Sequence, residues 1–485
     1  MAEFDFPDAP IIVWFRDDLR IADNPALASA ASSGQPVISL FVLETNDGHV
    51  PLGGAQRWWL HHALKALDGK LRAIGSRLII KRGDSHEVVS SLVEETNAGS
   101  VVWNRRYSRY GIETDTKIKS QLKNDGIPAQ SFAARLMHEP TQLKSGTGSA
   151  YKVYTPFWKT FRATIQPRAP VPAPTNIQTP DTWASSLSLE ELDLLPTKPD
   201  WAGGLRDAWT PGEDGAFVRL ERFLESGIDR YDSQRDLPAI EGTSGLSPHL
   251  AFGEISPFQI WARVDQVADD LPVDDVTTFR KELVWREFAY HLLVNFAELK
   301  TDNYNGQFDK FPWADSQEHL RAWQRGMTGY PIVDAGMRQL YETGWMHNRV
   351  RMIVGSFLVK HLLLDWRHGE EWFWDTLVDA DPASNTASWQ WVAGSGADAA
   401  PYFRIFNPMT QGEKFDSQGE YVKRWVPELA KMPAKLIHKP WEAPKNVLDY
   451  AGVTLGDTYP HPMVDHKQAR ERALNAYQNM RGMAA

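Results

Sequence analysis

A short segment in the C-terminal half combines residue types suited to cofactor chemistry. Trp389-Gln390-Trp391 follows Asp379, Asp381 and Asn385 within thirteen positions. Because each residue of a helix turns about 100°, Trp389 and Trp391 are expected to face roughly opposite directions. One indole can then lie inside the protein and the other beside a neighbouring space. This combination suits a bound aromatic cofactor that exchanges electrons on one side and meets a flat substrate on the other.

A second group places a carboxyl, an indole and a guanidinium on one helix face. Glu282, Trp285 and Arg286 stand at positions i, i+3 and i+4. A carboxyl beside an indole at a pocket wall tends to keep its proton, and could then donate a hydrogen bond. The alternative is a surface ion pair between Glu282 and Arg286, worth a few tenths of a kcal/mol.

A third group begins at His347. Asn348, Arg351 and Met352 share a helix face, whereas Arg349 is rotated away by about 100°. One set can line a pocket while Arg349 reaches outward, for instance to a phosphate. The alternative is an ordinary helix start with exposed arginines.

The fourth group, Thr243 to Pro248, has the composition of a helix start. Ser247 is predicted to cap a helix with Pro248 at its first position. Hydroxyls and free amides at such a start can hold an anion such as a diphosphate, and upstream Tyr231 and Arg235 could close over it. A plain capped turn is the alternative.

The elements that must position these groups differ between the two halves. Strands are predicted at 11–15, 37–43, 77–81 and 100–104, alternating with helices, which indicates a parallel, Rossmann-like sheet in an α/β domain at 1–135. The first strand leads to Arg16 and Asp17, not to a glycine-rich dinucleotide fingerprint. Residues 136–200 are predicted to be an irregular linker, with five prolines at 167–180. Helical periodicity at 213–227, 256–268, 275–297, 331–344, 347–364 and 368–378 predicts an all-α domain at 201–485.

Composition narrows the function classes. The 485 residues include no cysteine, which excludes disulfides, iron–sulfur clusters and thiolate metal sites. The histidines are scattered along the chain, so no metal site is predicted. Without a long apolar run, we expect a cytoplasmic protein with no membrane span. The net charge of −10 disfavours non-specific nucleic-acid binding but allows a local basic patch. Fourteen of the 20 tryptophans follow residue 200, which directs attention to the helical half.

Ordered motifs across some 400 residues resemble the photolyase/cryptochrome family of blue-light flavoproteins. The motifs are Trp14–Arg20 with Asp23–Leu27, Glu241–Pro248, Trp285–Phe288, Tyr330–Met352 and Asp379–Phe415. The overall pattern is most similar to the bacterial class III dimer photolyases. The resemblance implies a parallel five-stranded sheet in the N-terminal domain and an all-α, FAD-binding C-terminal domain.

The resemblance also implies which residues hold the flavin. The cofactor-binding set is Tyr231, Thr243, Ser244, Gly245, Leu246, Ser247, Phe279, Arg286, Arg351, Asp379, Asp381 and Asn385. Asn385 corresponds to the residue facing flavin N5, where an amide is typical of repair enzymes. Phe279 stands where the family often has tryptophan, so its contact is expected to be weaker.

A cyclobutane pyrimidine dimer in ultraviolet-damaged DNA is the implied substrate. Trp285 and Trp391 match the indoles that embrace a flipped-out dimer, and Glu282, Asn348 and Met352 match the remaining walls, with Asn385 beside the flavin. Asn348, rather than a histidine, follows His347, which favours the dimer over pyrimidine–pyrimidone adducts. DNA phosphates are expected at Arg235, Arg349, Gln411 and Lys414. In the implied reaction, light-excited FADH⁻ lends one electron to the dimer and recovers it.

The resemblance further implies a light-driven relay and an antenna. Trp389, Trp366 and Trp313 match the relay that rereduces oxidised flavin, and Trp372 and Trp374 would allow a branch. The N-terminal domain is expected to carry 5,10-methenyltetrahydrofolate, and the protein to act as a monomer. The alternatives are a cryptochrome-like photoreceptor that uses the same flavin, and a dark flavin oxidoreductase, for which no nicotinamide site is evident.

Overall fold

A five-stranded parallel sheet forms the centre of the N-terminal region. The computed structural model describes residues 8–296, 298–399 and 403–482. The strands are β1 (Ile11–Phe15), β2 (Val37–Glu44), β3 (Leu78–Gly83), β4 (Ser100–Asn104) and β5 (Ala129–Phe132), in the order β3-β2-β1-β4-β5. All the neighbouring pairs are parallel, so the predicted sheet is confirmed.

Each of the six segments with helical periodicity overlaps a helix of the structure, and further helices lie outside these segments. In chain order the helices are α1 (Pro25–Ser32), α2 (Gly54–Ala73), α3 (Ser85–Thr96), α4 (Arg109–Asn124), α5 (Tyr154–Thr164), α6 (Gly203–Ala208), α7 (Glu213–Ser226), α8 (Tyr231–Gln234), α9 (Ser247–Ala251), α10 (Pro257–Asp265), α11 (Val273–Asn295), α12 (Gln317–Gln324), α13 (Pro331–Thr343), α14 (Asn348–Ser356), α15 (Trp366–Thr376), α16 (Pro382–Ala393), α17 (Pro408–Phe415), α18 (Glu420–Trp425), α19 (Lys445–Ala451) and α20 (His466–Gly482). No helix in these ranges is long and apolar enough to cross a lipid bilayer.

The sheet forms because its central strands can bury both faces. All five residues of β1 are buried, as are those of β4, and such continuous apolar runs are typical of parallel strands covered by helices. The adjoining helices begin at side-chain caps. Asn24 accepts a hydrogen bond from the amide of Leu27 before α1, and Asp84 accepts two before α3.

The chain divides into two compact units that do not follow a single boundary near residue 200. One unit contains residues 8–201, 209–226 and 244–296, and the other contains 202–208, 227–243 and the described residues from 298 onward. The functional domains at 1–135, 136–200 and 201–485 therefore stay a prediction.

Helix α5 corrects the expectation that residues 136–200 are irregular throughout. Tyr154, Phe157, Trp158 and Phe161 are all buried. Their spacing of i, i+3, i+4 and i+7 is that of an amphipathic helix. This spacing predicts α5, whereas the proline-rich composition of the stretch that follows predicts irregular structure.

The second unit is helical around a large apolar core. Its core contains residues of α12 to α16, α18 and α19, with Trp323, Trp366 and Trp389 among the most buried. The predicted helix at 347–364 consists of α14 followed by a π-helix over Phe357–His361. π-Helical turns are rare, and they frequently accompany functional sites.

Candidate active site

Helix α16 presents two different faces, as the turn per residue predicts. Trp389 is 3% exposed and packs against Phe373, with ring centroids 4.9 Å apart. Trp391 is half-buried, and its indole N–H donates to the backbone oxygen of Asp398 over 3.0 Å. Residues 400–402 of the family motif lie outside the described residues. The same helix thus carries one indole in the core and one at the surface.

The two predicted carboxylates have different structural roles. Asp381 caps α16, accepting from the amides of Ala383 and Ser384 over 3.1 and 2.8 Å. Asp379 Oδ2 accepts from the Arg351 guanidinium over 2.8 Å, so these two members of the predicted cofactor-binding set form a pair. Asp379 Oδ1 is buried and receives no hydrogen bond from any described residue. Such an acceptor is costly unless a ligand or water supplies a donor.

Asn385 is buried one turn along α16 from its cap. Its amide nitrogen donates to the backbone oxygen of Glu370 over 3.0 Å. Thr386 donates to the Glu370 carboxylate over 3.2 Å, and burial raises the pKa of Glu370 above its ordinary value. The bond to the Glu370 backbone fixes the orientation of the Asn385 amide, and the bond from Thr386 holds the Glu370 side chain nearby.

Helix α14 begins at His347 and orients four predicted side chains. His347 Nδ1 accepts from the amide of Arg349 over 3.2 Å, which makes it the helix cap. Asn348 is exposed and Met352 is half-buried, whereas Arg351 is directed to Asp379. The predicted pocket-lining residues therefore emerge from one capped turn.

Arg349 is not simply an outward-reaching arginine. Its guanidinium forms an ion pair with Asp236 at 2.5 Å and lies 4.5 Å from the ring centre of Phe415. Lys414 lies 5.0 Å from the same ring, and Arg235 lies over Tyr231 at 5.4 Å. A carboxylate 113 positions away therefore neutralises part of the Arg349 charge, and the phosphate contact of Arg349 stays a prediction.

The buried imidazole of His347 makes stability depend on pH. Burial lowers its pKa from 6.5 to about 4. Between pH 6.5 and about pH 4, His347 binds a proton in the unfolded chain but not in the native state, so the free energy of unfolding falls as the pH falls. Coupling to one such group contributes about 1.4 kcal/mol per pH unit.

Replacing His347 with asparagine is therefore expected to flatten the acid limb of the stability curve. Asparagine can still accept from the amide of Arg349 as a helix cap, but it does not titrate. Urea unfolding should show that His347→Asn loses about 1 kcal/mol less than the parent between pH 6 and pH 5. If the stability profiles of the parent and of His347→Asn are parallel in this pH range, then the imidazole binds its proton equally well in the folded and unfolded states, and the prediction is wrong.

The Thr243–Ser247 segment differs in detail from its prediction. Gly245 has a φ of +62°, and Leu246 occupies the cap position of α9, while Ser247 is the first helical residue. Ser247 is therefore not the cap, because the left-handed turn at Gly245 starts the helix one residue early. The Ser244 hydroxyl accepts from the amide of Leu246 over 3.4 Å.

Helix α11 carries the predicted Glu282, Trp285 and Arg286. Trp285 is 36% exposed despite its size, and Glu282 is half-buried. Arg286 donates to the backbone oxygen of Arg135 over 2.8 Å, so part of its donor capacity supports the protein itself. Phe279 packs against Phe223, with ring centroids 4.8 Å apart.

The predicted relay tryptophans all belong to the second unit. Trp366 is fully buried and donates from its indole nitrogen to Asn303 over 2.9 Å, a partner that sequence reasoning missed. Trp313 is half-buried and packs against Phe311 at 4.4 Å. Trp323 also contacts Trp389, with ring centroids 6.2 Å apart, so an indole outside the predicted relay lies beside one of its predicted members.

The carboxyl ends of β1, β2 and β4 hold a buried charge network in the first unit. Arg106 pairs with Glu44 and with Asp115, the latter at 2.8 Å. Arg16 bonds Asp115 over 3.2 Å, and two of its guanidinium nitrogens are buried without a partner among the described residues. This edge is where parallel sheets place ligands.

Comparison with known proteins assigns the family. The model described as DNA photolyase matches residues 11–175, and the one described as FAD binding domain of DNA photolyase matches residues 279–479. A deoxyribodipyrimidine photo-lyase of Agrobacterium fabrum is 56% identical over 97% of this chain and 98% of its own length. Cryptochrome-1 of Arabidopsis thaliana is 38% identical over 97% of this chain and 70% of its own length.

A solved structure agrees with this assignment at the level of the fold. The crystal structure of a bacterial class III photolyase from Agrobacterium tumefaciens has a TM-score of 0.96, is 54% identical, and is matched over 99% of both chains. Both the sheet region and the helical FAD-binding region are covered by the family models. The chain therefore belongs to the photolyase/cryptochrome family, with the fold of a DNA photolyase.

Proposed function

We propose that this protein uses light to reverse cyclobutane pyrimidine dimers in DNA. The observation that supports this most is the two-faced helix α16. It buries Trp389, leaves Trp391 half-buried, and carries the buried Asn385 one turn before Trp389. The helix is capped by Asp381, two residues after Asp379, which pairs with Arg351. An electron supply and a stacking surface for a flat substrate thereby belong to one rigid element.

The residues fit a bound FAD. Asp379 Oδ1 is a buried acceptor that needs a donor, which hydroxyl or N–H groups of a ribityl–flavin can provide. The proposed flavin-binding set is the one named above, from Tyr231 to Asn385, with Asp381 at the start of α16. The chemistry that bound FAD supplies is the transfer of one electron to the dimer under light and its later return.

The protein's own contribution is to bind and orient the dimer. We assign stacking to Trp285 and Trp391, hydrogen bonding to Glu282, and the remaining walls to Asn348 and Met352. Flipping a dimer out of the helix costs a few kcal/mol, less than for a well-paired base, so stacking can select the lesion.

Light-dependent repair of a defined oligonucleotide tests the proposal. Protein with fully reduced flavin should restore a thymine-dimer oligonucleotide under blue light and leave it unchanged in darkness. A protein that binds FAD but reverses no dimers would instead favour the photoreceptor function. Turnover of NADPH in darkness would favour an oxidoreductase.

Trp366→Phe is expected to slow photoreduction of oxidised flavin while sparing repair. The substitution removes the buried indole that bonds Asn303, but it leaves the proposed dimer-binding residues intact. Absorbance during illumination measures photoreduction, and the oligonucleotide assay with chemically reduced protein measures repair. Unchanged photoreduction would mean that electrons reach Trp389 by another indole, and Trp323→Phe would then be the informative variant.

Arg349→Ala is expected to weaken DNA binding and to reduce the salt slope by about one unit. The guanidinium of Arg349, near Lys414, would lose its proposed phosphate contact. The slope is measured by binding titrations between about 50 and 200 mM salt, where phosphate contacts make affinity strongly dependent on salt. Asp236→Asn releases Arg349 and should keep the slope, and Arg325→Ala serves as an exposed control. A slope unchanged in Arg349→Ala would remove this residue from the DNA footprint.

We further propose that the sheet-containing region carries 5,10-methenyltetrahydrofolate as an antenna, and that the protein works as a cytoplasmic monomer. The buried arginines at the carboxyl edge of the sheet support an acidic ligand in this region. An absorption spectrum of the purified protein should contain flavin bands and a separate near-ultraviolet folate band. Flavin bands alone would contradict the antenna assignment.

A further inference from the structure

Tyr154 lies flat against Trp285. The two ring centroids are 3.6 Å apart and the planes differ by 9°, so the rings are closely stacked and nearly parallel. Tyr154 is 6% exposed, whereas Trp285 is 36% exposed. One side of the indole is therefore covered by a buried ring, while the rest of it meets solvent.

The Tyr154 ring is itself held in place. Its hydroxyl donates to the backbone oxygen of Lys281 over 2.7 Å, one helical turn before Trp285 on α11. Phe288 meets both rings edge-on, at 5.8 Å from each. A hydrogen bond at one end and an aromatic contact at the edge leave the tyrosine ring with one orientation, which the stacked indole must share.

An exposed tryptophan on a helix surface would otherwise sample several rotamers. Holding a mobile side chain upon binding costs roughly 0.5–1.5 kcal/mol. A stack that fixes the indole in the free protein removes this cost before the ligand arrives. The parallel geometry also leaves the opposite indole surface oriented for a second flat ring.

We propose that Tyr154 is a positioning residue for lesion capture, which holds the Trp285 indole in the plane on which the pyrimidine dimer stacks. The inference rests on the proposed function, because it concerns the dimer-binding role of Trp285. It adds a residue from the stretch between the sheet and the helical half to that site.

Binding in darkness tests the inference, since no dimer is then consumed. Tyr154→Leu removes the stack and is expected to weaken binding of a thymine-dimer oligonucleotide about fivefold, the equivalent of one aromatic pair. Binding of the undamaged oligonucleotide, FAD content and melting temperature should match those of Tyr151→Leu, a control from the same segment. Tyr154→Phe keeps the ring and loses only the hydroxyl anchor, so about a twofold loss is expected.

A double-variant cycle separates positioning from general packing. If Tyr154 acts through the indole, then Trp285→Leu with Tyr154→Leu should bind the dimer no more weakly than Trp285→Leu alone. Additive losses, or equal losses for damaged and undamaged DNA, would overturn the inference. If Tyr154→Leu does not fold, Tyr154→Phe combined with Trp285→Leu provides the same comparison.

Dimer binding by the parent protein distinguishes failure of the proposed function from failure of the proposed role of Tyr154. A parent without preference for the dimer would overturn the proposed function together with this inference. A parent that prefers the dimer, with a preference that Tyr154→Leu retains in full, would overturn the role of Tyr154 alone.

Discussion

Replacing Trp391 with alanine is expected to weaken dimer binding about 5- to 150-fold while FAD remains bound. Stacking of one base on an aromatic side chain contributes about 1–3 kcal/mol, and this indole is half-buried on the outward face of α16. Trp389, Asn385 and the Asp381 cap belong to other parts of the helix and should be unaffected. Binding to a thymine-dimer oligonucleotide in darkness gives the affinity, and visible absorbance gives the flavin content.

Two variants control for other consequences of this substitution. Trp391→Phe retains a ring but loses the N–H bond to Asp398, so it separates stacking from anchoring of the following loop. Trp201→Ala removes an exposed indole that has no proposed role. Loss of flavin in Trp391→Ala, with affinity for the dimer retained, would mean that this indole faces the cofactor rather than the substrate.

Local patterns in the sequence were sufficient to predict most of the regular structure. β1 and β4 have the predicted bounds, and α7, α11 and α13 begin and end within two residues of theirs. β1 and β4 are continuous apolar runs, whereas α7 and α13 bury one face at helical spacing. The two faces of α16 were predictable for the same reason, since 100° per residue separates Trp389 from Trp391.

Contacts between distant segments were not predictable in this way. Arg349 pairs with Asp236, and Tyr154 covers Trp285, across 113 and 131 positions respectively, and neither pair shares a local motif. The predicted cap of α9 was wrong for a local reason, because Gly245 adopts a left-handed conformation and the helix starts one residue earlier than predicted. Residue types therefore indicated the chemistry, while tertiary packing determined which side chains remain available for it.

Replacing Gly369 with alanine is expected to destabilise the fold by about 3 kcal/mol, the upper range for overpacking. Gly369 lies in α15 directly over the Trp389 ring, where an added Cβ would be 2.1 Å from Cη2 and 2.5 Å from Cζ2. Alanine favours helix over glycine by about 1 kcal/mol, which does not offset a contact this short. The rigid indole is buried between two helices and can relieve the overlap only by displacing its neighbours.

Gly355→Ala is the matched control, because it adds the same methyl group near the same indole from another helix, α14. Its Cβ would lie 3.3 Å from Val392 and 3.5 Å from Trp389, so small shifts suffice and stability should change little. Urea unfolding of both variants measures the difference, and photoreduction at equal flavin content reports whether Trp389 has moved. One outcome would contradict this prediction: Gly369→Ala is as stable as Gly355→Ala and is photoreduced as fast as the parent. The Trp389 indole would then lie farther from α15, because a ring 2.1 Å from the new Cβ must shift and change at least one of these properties.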